Sequence, residues 1–165
     1  MKIKDRIMLG VITGVIASLP GKIINNIEYR KGLTEQTYQK AASSLFVKDN
    51  QLDTLPGKII GAVANQVLTV TAGIGTTYLL SLTGRDHAVV KGIGIGMLYW
   101  MFLEGLPSNL GLTISHKKPM TPLLSILDHI VFGATCGFVA SNLGDESLFP
   151  ETNNQLSLQA ANQTR

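Results

Sequence analysis

The sequence is poor in charged residues. Asp, Glu, Lys and Arg make up 15% of its 165 residues, whereas a soluble domain has about 25%. These charges crowd into a few short segments and leave the stretches between them nearly bare, and the mean hydropathy is +0.23. The net charge of +3 is small and forms no basic stripe of the kind that nucleic-acid binding requires. We therefore expect no nucleic-acid partner.

The residue patterns of common catalytic and metal sites are also missing. The single cysteine, Cys136, cannot form an intramolecular disulfide and has no neighbouring ligands for a metal ion. The HExxH, CxxC, GxSxG and Walker patterns do not occur. Ser125 and Thr135 lie near His129, but nothing in the pattern pairs a nucleophile with a base. We expect no catalytic residue, no metal and no cofactor, and an enzyme is the least favoured interpretation.

What the sequence does contain is a set of long apolar segments. A helix needs about 20 mostly apolar residues to cross the hydrocarbon core of a bilayer. The segments that meet this length are residues 7–27, 57–82, 88–106 and 122–143. They are too long for strands and show no sustained alternation. The sequence therefore predicts an all-α bundle of four transmembrane helices over residues 1–144, in contact with the lipid bilayer. A polar tail over residues 145–165 is predicted to be disordered.

The first segment has an alternative interpretation as a secretory signal peptide. Lys2, Lys4 and Arg6 form a basic start, and residues 15–17 make an acceptable small-residue cleavage site. Because further apolar spans follow, we favour a retained helix.

The connection over residues 28–56 is the longest one between the spans. Thr34 is a candidate N-cap for a short helix over residues 35–46. The apolar side of this helix would comprise Tyr38, Ala41, Ala42, Leu45 and Phe46. We predict an amphipathic helix that lies on the membrane surface.

Each span carries one pair of glycines four residues apart. Such pairs leave a groove in which another backbone can approach closely. The pairs are Gly10 and Gly14, Gly57 and Gly61, Gly92 and Gly96, and Gly133 and Gly137. They predict tight packing of the helices within one chain, with a homodimer through one of these faces as the alternative.

The polar residues inside the spans fall in one leaflet. Consecutive spans run in opposite directions, so a residue late in one span and a residue early in the next lie at the same depth. The residues that this rule brings together are Lys22, Asn65, Gln66, Glu104, Asp128 and His129. Ionisable groups within a span usually face the bundle interior and find partners, and Lys22 is a natural partner for Glu104 or Asp128. His129 could share a proton with either acid.

Two functional interpretations follow from this cluster. The residues either form a polar pocket that binds a small solute or passes protons, or they are interfacial residues whose heads reach the headgroups. The favoured function class is a non-enzymatic structural or stress-related membrane component that acts through protein partners. The alternative is a small solute transporter or proton-linked channel that uses the cluster. The numbers of Lys and Arg residues on the two sides of the membrane are nearly equal, so they do not decide the orientation of the chain. We favour a cytoplasmic N-terminus because the charges before the first helix usually determine the orientation.

Four short motifs together match a known family. A run of small residues ends at Lys22, and Gly61, Val63 and Asn65 form a Gly-x-Val-x-Asn pattern. Residues 91–113 supply glycines, a proline and a closing Gly-Leu-Thr, and His129 is followed by apolar residues. This arrangement resembles the YagU-like family of bacterial inner-membrane proteins, which has no established biochemical activity. The resemblance implies four helices and a bacterial inner-membrane location.

Overall fold

The computed structural model describes residues 2–106 and 118–150, and within them the chain is helical without strands. The helices long and apolar enough to cross a membrane number four. They are α1 (Arg6–Arg30), α3 (Leu55–Thr83), α4 (Ala88–Trp100, continued by a π-helix over Met101–Gly105) and α5 (Met120–Leu143). The short helices are α2 (Tyr38–Ser44) and the 3-10 turns Asp49–Gln51 and Glu146–Leu148. The predicted fold class, an all-α four-helix bundle, is confirmed.

Side-chain caps set where the helices begin, and they extend the predicted spans. The Asp5 carboxylate accepts a hydrogen bond from the Met8 amide at 2.6 Å, so α1 starts at Arg6. The Thr54 hydroxyl accepts one from the Gly57 amide at 3.2 Å, with Pro56 in the first turn of α3. Both caps satisfy amide groups that have no partner inside the helix.

The third span ends in a wider helix than expected. The α-helical part of α4 stops at Trp100, and residues 101–105 form a π-helix in which the Leu106 amide donates to the Met101 carbonyl. Residues 107–117 lie outside the described residues.

The bundle consists of two closely packed pairs of helices, α1 with α3 and α4 with α5. Six glycines of the four predicted pairs lie in these contacts, where a Cβ would overlap the backbone of the partner helix. Gly10 and Gly14 press on Ile74 and Thr69, whereas Gly92, Gly96, Gly133 and Gly137 hold α4 against α5. A homodimer through these faces stays a prediction, and it would require the contacts to be exchanged between copies.

The remaining pair, Gly57 and Gly61, does not contact another spanning helix. A Cβ at Gly61 would overlap the Gln39 carbonyl of α2, and one at Gly57 would overlap the Gln51 carbonyl. Their groove holds the segment between α1 and α3 instead.

The end of the bundle that contains Ile3 and Gly144, here called the terminal half, is closed by apolar side chains. Ile3 pairs with Gly144, as the Ile3 amide donates to the Leu143 carbonyl at 2.9 Å. Behind this pairing lies a cluster of Leu9, Leu80, Ala88, Ala140, Leu148 and Phe149. The prediction that disorder begins at residue 145 is therefore wrong for residues 145–150, because Leu148 and Phe149 bury their side chains in this cluster. Residues 151–165 lie outside the described residues.

Large apolar side chains cover the outside of the spanning helices. The most exposed of them include Ile23, Val63, Val90, Phe138 and Leu82, the last at 79%. A soluble bundle buries such residues and exposes its polar ones. Here the buried residues include polar ones such as Asn25, Asn65, Ser125 and Asp128. This inverted distribution is the one expected for contact with lipid.

Candidate functional site

A cavity of about 120 Å³ lies in the half of the bundle next to α2, here called the loop half. About 10–15 Å³ is enough for one water molecule, so the cavity has room for several waters or a compact solute. All the spanning helices and α2 contribute to its lining. The predicted cluster residues in the lining are Lys22, Asn65, Glu104, Asp128 and His129. Gln66 lies behind them and contacts Lys22.

Hydrogen-bond donors occupy the wall formed by α1 and α3. The Lys22 ammonium donates to the Gln66 side-chain oxygen at 3.0 Å, and the Gln66 amide nitrogen donates to the Thr69 hydroxyl at 3.3 Å. Asn65 is only 8% exposed, and its side-chain nitrogen has no partner among the described residues. The predicted ion pair of Lys22 with Glu104 or Asp128 is absent from this part of the chain, because Gln66, on the facing turn of α3, takes the ammonium.

Carboxyl groups occupy the opposite wall, formed by α4 and α5. Asp128 is 3% exposed and accepts a hydrogen bond from the Tyr38 hydroxyl. Glu28 approaches Asp128 from the end of α1 and interacts with its carboxyl. One oxygen of Glu104, Oε2, is buried without a hydrogen-bond partner within the described residues. Glu104 and Asp128 therefore bring hydrogen-bond acceptors to this side of the cavity.

His129 is held by its own helix. Its Nδ1 lies 2.8 Å from the Ser125 carbonyl oxygen, and a carbonyl only accepts, so Nδ1 carries a proton. This bond leaves Nε2 as the atom that can exchange protons. The Tyr38 ring meets the imidazole edge-on, with centroids 5.9 Å apart. Because Nδ1 is a donor, it cannot take the proton of the Ser125 hydroxyl 3.4 Å away, and the geometry is not that of a nucleophile and its base.

Helix α2 lines the cavity on the loop side and is anchored at both ends. At its start, the Tyr38 amide donates to Asn25 of α1 at 2.9 Å. At its end, the Ser43 hydroxyl donates to the Gly57 carbonyl of α3 at 2.8 Å. Lys40 forms an ion pair of 2.7 Å with Asp53, and this hydrogen bond lowers the pKa of the Asp53 carboxyl. The pair is therefore charged at neutral pH.

The predicted position of this short helix was partly wrong. It was expected over residues 35–46 with Thr34 as its cap, but α1 continues to Arg30, so the chain needs residues 31–36 to turn back. The helix starts at Tyr38, capped by the Thr37 hydroxyl. It is not merely laid on the surface, because Ala42 and Ser43 are buried against α3 while Leu45 and Phe46 stay exposed.

Tyr38 separates the main cavity from a smaller one of about 10 Å³ on the side of Thr34 and Thr121. Gln36, Tyr38, Ala41 and Glu104 line both cavities. Burial raises the pKa of Tyr38, so its hydroxyl stays protonated and donates to Asp128. The Tyr38 side chain thus lies between the two cavities and donates a hydrogen bond to the buried Asp128.

Sequence reasoning missed Tyr38, Glu28, Asn25 and Ser18 as parts of the site. On α1 the signal was available: residues 18, 21, 25 and 28 recur at helical spacing, and all are small or polar and buried. This stripe was overlooked because Glu28 was assigned to the connection. For Tyr38 no local signal existed, since its partner is 90 residues away in the chain.

Comparisons with known proteins give no family for this chain. No protein-family model, no curated protein and no solved structure matches it.

Proposed function

We propose that this protein is a multi-pass protein of the bacterial cytoplasmic membrane that takes up a small polar solute in its intramembrane cavity and carries it, or protons, across the bilayer. The observation that carries the proposal is the cavity of about 120 Å³ between the helix pairs, lined by Lys22, Asn65, Glu104, Asp128 and His129. An ionisable group at the centre of a membrane helix costs about 2.5–3.5 kcal/mol. Five polar residues turned towards one cavity are hard to explain as packing alone.

The chemistry of the acid wall is suited to holding and releasing a proton. Asp128 accepts a hydrogen bond from Tyr38 and interacts with the carboxyl of Glu28, and two interacting carboxyls can share one proton. His129 offers its Nε2 as a further atom that can accept or release a proton. A solute that enters beside these groups would change their protonation, which is the basis of coupled transport.

Exchange with the loop side would take place beside α2. This helix contributes to the cavity lining, and Tyr38 lines both this cavity and the smaller one beside it. The anchors of α2 are few hydrogen bonds and one surface ion pair, and such pairs contribute about 0–1 kcal/mol each. The terminal half, closed by its apolar cluster, has to open by a separate movement.

The membrane and the orientation are also proposals. Support for the cytoplasmic membrane of a bacterium comes from the YagU-like motifs, and support for a cytoplasmic N-terminus comes from Lys2, Lys4 and Arg6 ahead of the first span. Packing of Leu9 and Gly14 inside the bundle favours a retained first helix. A component that acts through protein partners stays the rival prediction, and co-purification with another membrane protein without any flux would favour it.

The test is flux in liposomes that contain the purified protein. Proton flux is followed with an enclosed pH-sensitive dye under an imposed potential, and solute entry is followed by osmotic swelling in a panel of amino acids, amines, polyols and sugars. We expect at least one flux above that of empty liposomes. Asp128→Asn should abolish it, because the buried carboxyl can no longer lose or accept a proton.

The matched control is Asp49→Asn, which changes an exposed aspartate outside the cavity and should leave the flux unchanged. The proposal is wrong if no flux exceeds that of empty liposomes, or if Asp128→Asn transports as the parent protein does.

A further inference from the structure

We infer that the cavity selects a small zwitterion, an amino-acid-like solute with an ammonium group at one end and a carboxylate at the other. The inference rests on the proposed function, because it assigns a substrate class to the same cavity. Donors and acceptors lie on different walls of this cavity.

The wall of α1 and α3 presents donors to the cavity. Lys22 supplies the cation, and it is held by the neutral Gln66 instead of an acid. Its charge is therefore not cancelled by a neighbour. Asn65 is more than nine-tenths buried, lines the cavity and has a side-chain nitrogen without a partner in the described chain. A buried donor left unpaired destabilises the site, and a ligand carboxylate between Lys22 and Asn65 would supply the missing acceptor.

The wall of α4 and α5 presents acceptors. Glu104 has a buried oxygen without a partner among the described residues, and Asp128 lies beside it with one oxygen bound by the Tyr38 hydroxyl. A ligand ammonium is the group that can bond to Glu104 and neutralise it. The rings of Tyr99 and Tyr38 border this wall, and aromatic faces attract ammonium groups within about 6 Å.

The separation of donors from acceptors across the cavity follows from the architecture of the bundle. Each wall is one closely packed helix pair, and the cavity lies between the pairs. Apolar residues, among them Leu68 of α3 and Leu103 and Phe132 of the opposite pair, line the space between the two walls. A ligand with one charge would satisfy one wall and leave the other unpaired. A zwitterion with a short apolar middle satisfies both.

The experiment titrates the purified protein in detergent with matched probes. Glycine, β-alanine and γ-aminobutyrate carry both charges at increasing separation, whereas butylamine and butyrate each carry one. Binding is measured by calorimetry and by the fluorescence of Trp100, which is the only tryptophan of the chain and adjoins the cavity residue Tyr99. We expect at least one zwitterion to bind roughly 10- to 100-fold more tightly than either single-charge probe, the effect of one charge-assisted hydrogen bond.

Two variants test which charged group of the ligand each wall binds. In Lys22→Met the advantage of the zwitterion over butylamine should disappear, and in Glu104→Gln its advantage over butyrate should disappear. Lys48→Met, at an exposed position outside the cavity, should bind as the parent protein does. The probe series on the parent protein gives an answer even if a variant does not fold.

The inference is overturned if butylamine or butyrate binds as tightly as every zwitterion, or if no zwitterion binds. It is also overturned if Lys22→Met keeps the full preference for the zwitterion over butylamine. Flux in the liposome experiment without zwitterion binding would leave the proposed function standing and remove only this substrate class.

Discussion

The two halves of the bundle are built from the same helices but packed in opposite ways. In the terminal half, helices meet backbone to backbone at Gly10, Gly92 and Gly137, and apolar side chains fill the end. In the loop half, Gly61 and Gly57 of α3 face α2 and the 3-10 turn after it instead of a spanning helix, and the helix pairs leave a polar cavity. The difference shows that glycine spacing sets how closely backbones approach, while the partner that enters the groove decides whether a cavity remains.

The comparison predicts that the terminal half supplies most of the stability. Leu80→Ala removes a fully buried side chain from the apolar cluster and should lower the free energy of unfolding by about 2–5 kcal/mol, the usual cost of such a cavity. Leu82→Ala is the control, because Leu82 on the same helix is 79% exposed. Thermal unfolding in detergent measures both. Equal losses would mean that the cluster is not a packed core.

The second prediction concerns the close approach of α4 and α5. A Cβ at Gly92 would overlap the Gly133 carbonyl, whereas one at Gly94 would meet nothing within 4 Å. Gly92→Ala should therefore destabilise the protein by about 1–3 kcal/mol, as overpacking does. Gly94→Ala should be neutral or stabilising by about 0.5–1 kcal/mol. Chemical denaturation in mild detergent separates the two, and an equal effect at both positions would contradict the packing described above.

The third and smallest effect on stability is expected in the loop half. Gly61→Ala should push α2 away from α3, because the new methyl group would overlap the Gln39 carbonyl. The bundle itself does not depend on this contact. Amide hydrogens of residues 38–44 should exchange faster while those of α4 and α5 keep their protection, as measured by hydrogen exchange with mass spectrometry.

Gly75→Ala on the same helix is the control, since nothing lies within 4 Å of the added Cβ. Loss of protection throughout the bundle in Gly61→Ala would show that α2 is part of the core and not a cover.

Sequence reasoning found the spans because the signal for them is local. An apolar stretch long enough to cross the bilayer is visible without knowing its neighbours, and the observed helices extend the predicted ranges by a few residues at most. The depth of Lys22, Asn65, Glu104 and Asp128 followed from the same ranges, since antiparallel helices of known length fix which residues lie at one level. All four line the observed cavity.

Sequence reasoning failed where the partner of a residue lies far along the chain. The pairing of Lys22 with Gln66 instead of an acid depends on which faces of α1 and α3 meet, and charge alone favoured the acids. The third span ends at Gly105, one residue from the predicted Leu106, but nothing in the sequence pattern indicated that residues 101–105 form a π-helix.

The amino-acid sequence by itself determined that the chain forms four long apolar helices, that their polar residues share one leaflet and that glycines allow close packing. Hydropathy, length and residue spacing are properties of single segments, so they can be recognised without knowledge of the tertiary structure. Only the tertiary structure decided that α2 packs against Gly61, that Tyr38 reaches Asp128 and that donors and acceptors face each other across a cavity. These features depend on the rotation of each helix about its axis, which is set by the packing of all helices together.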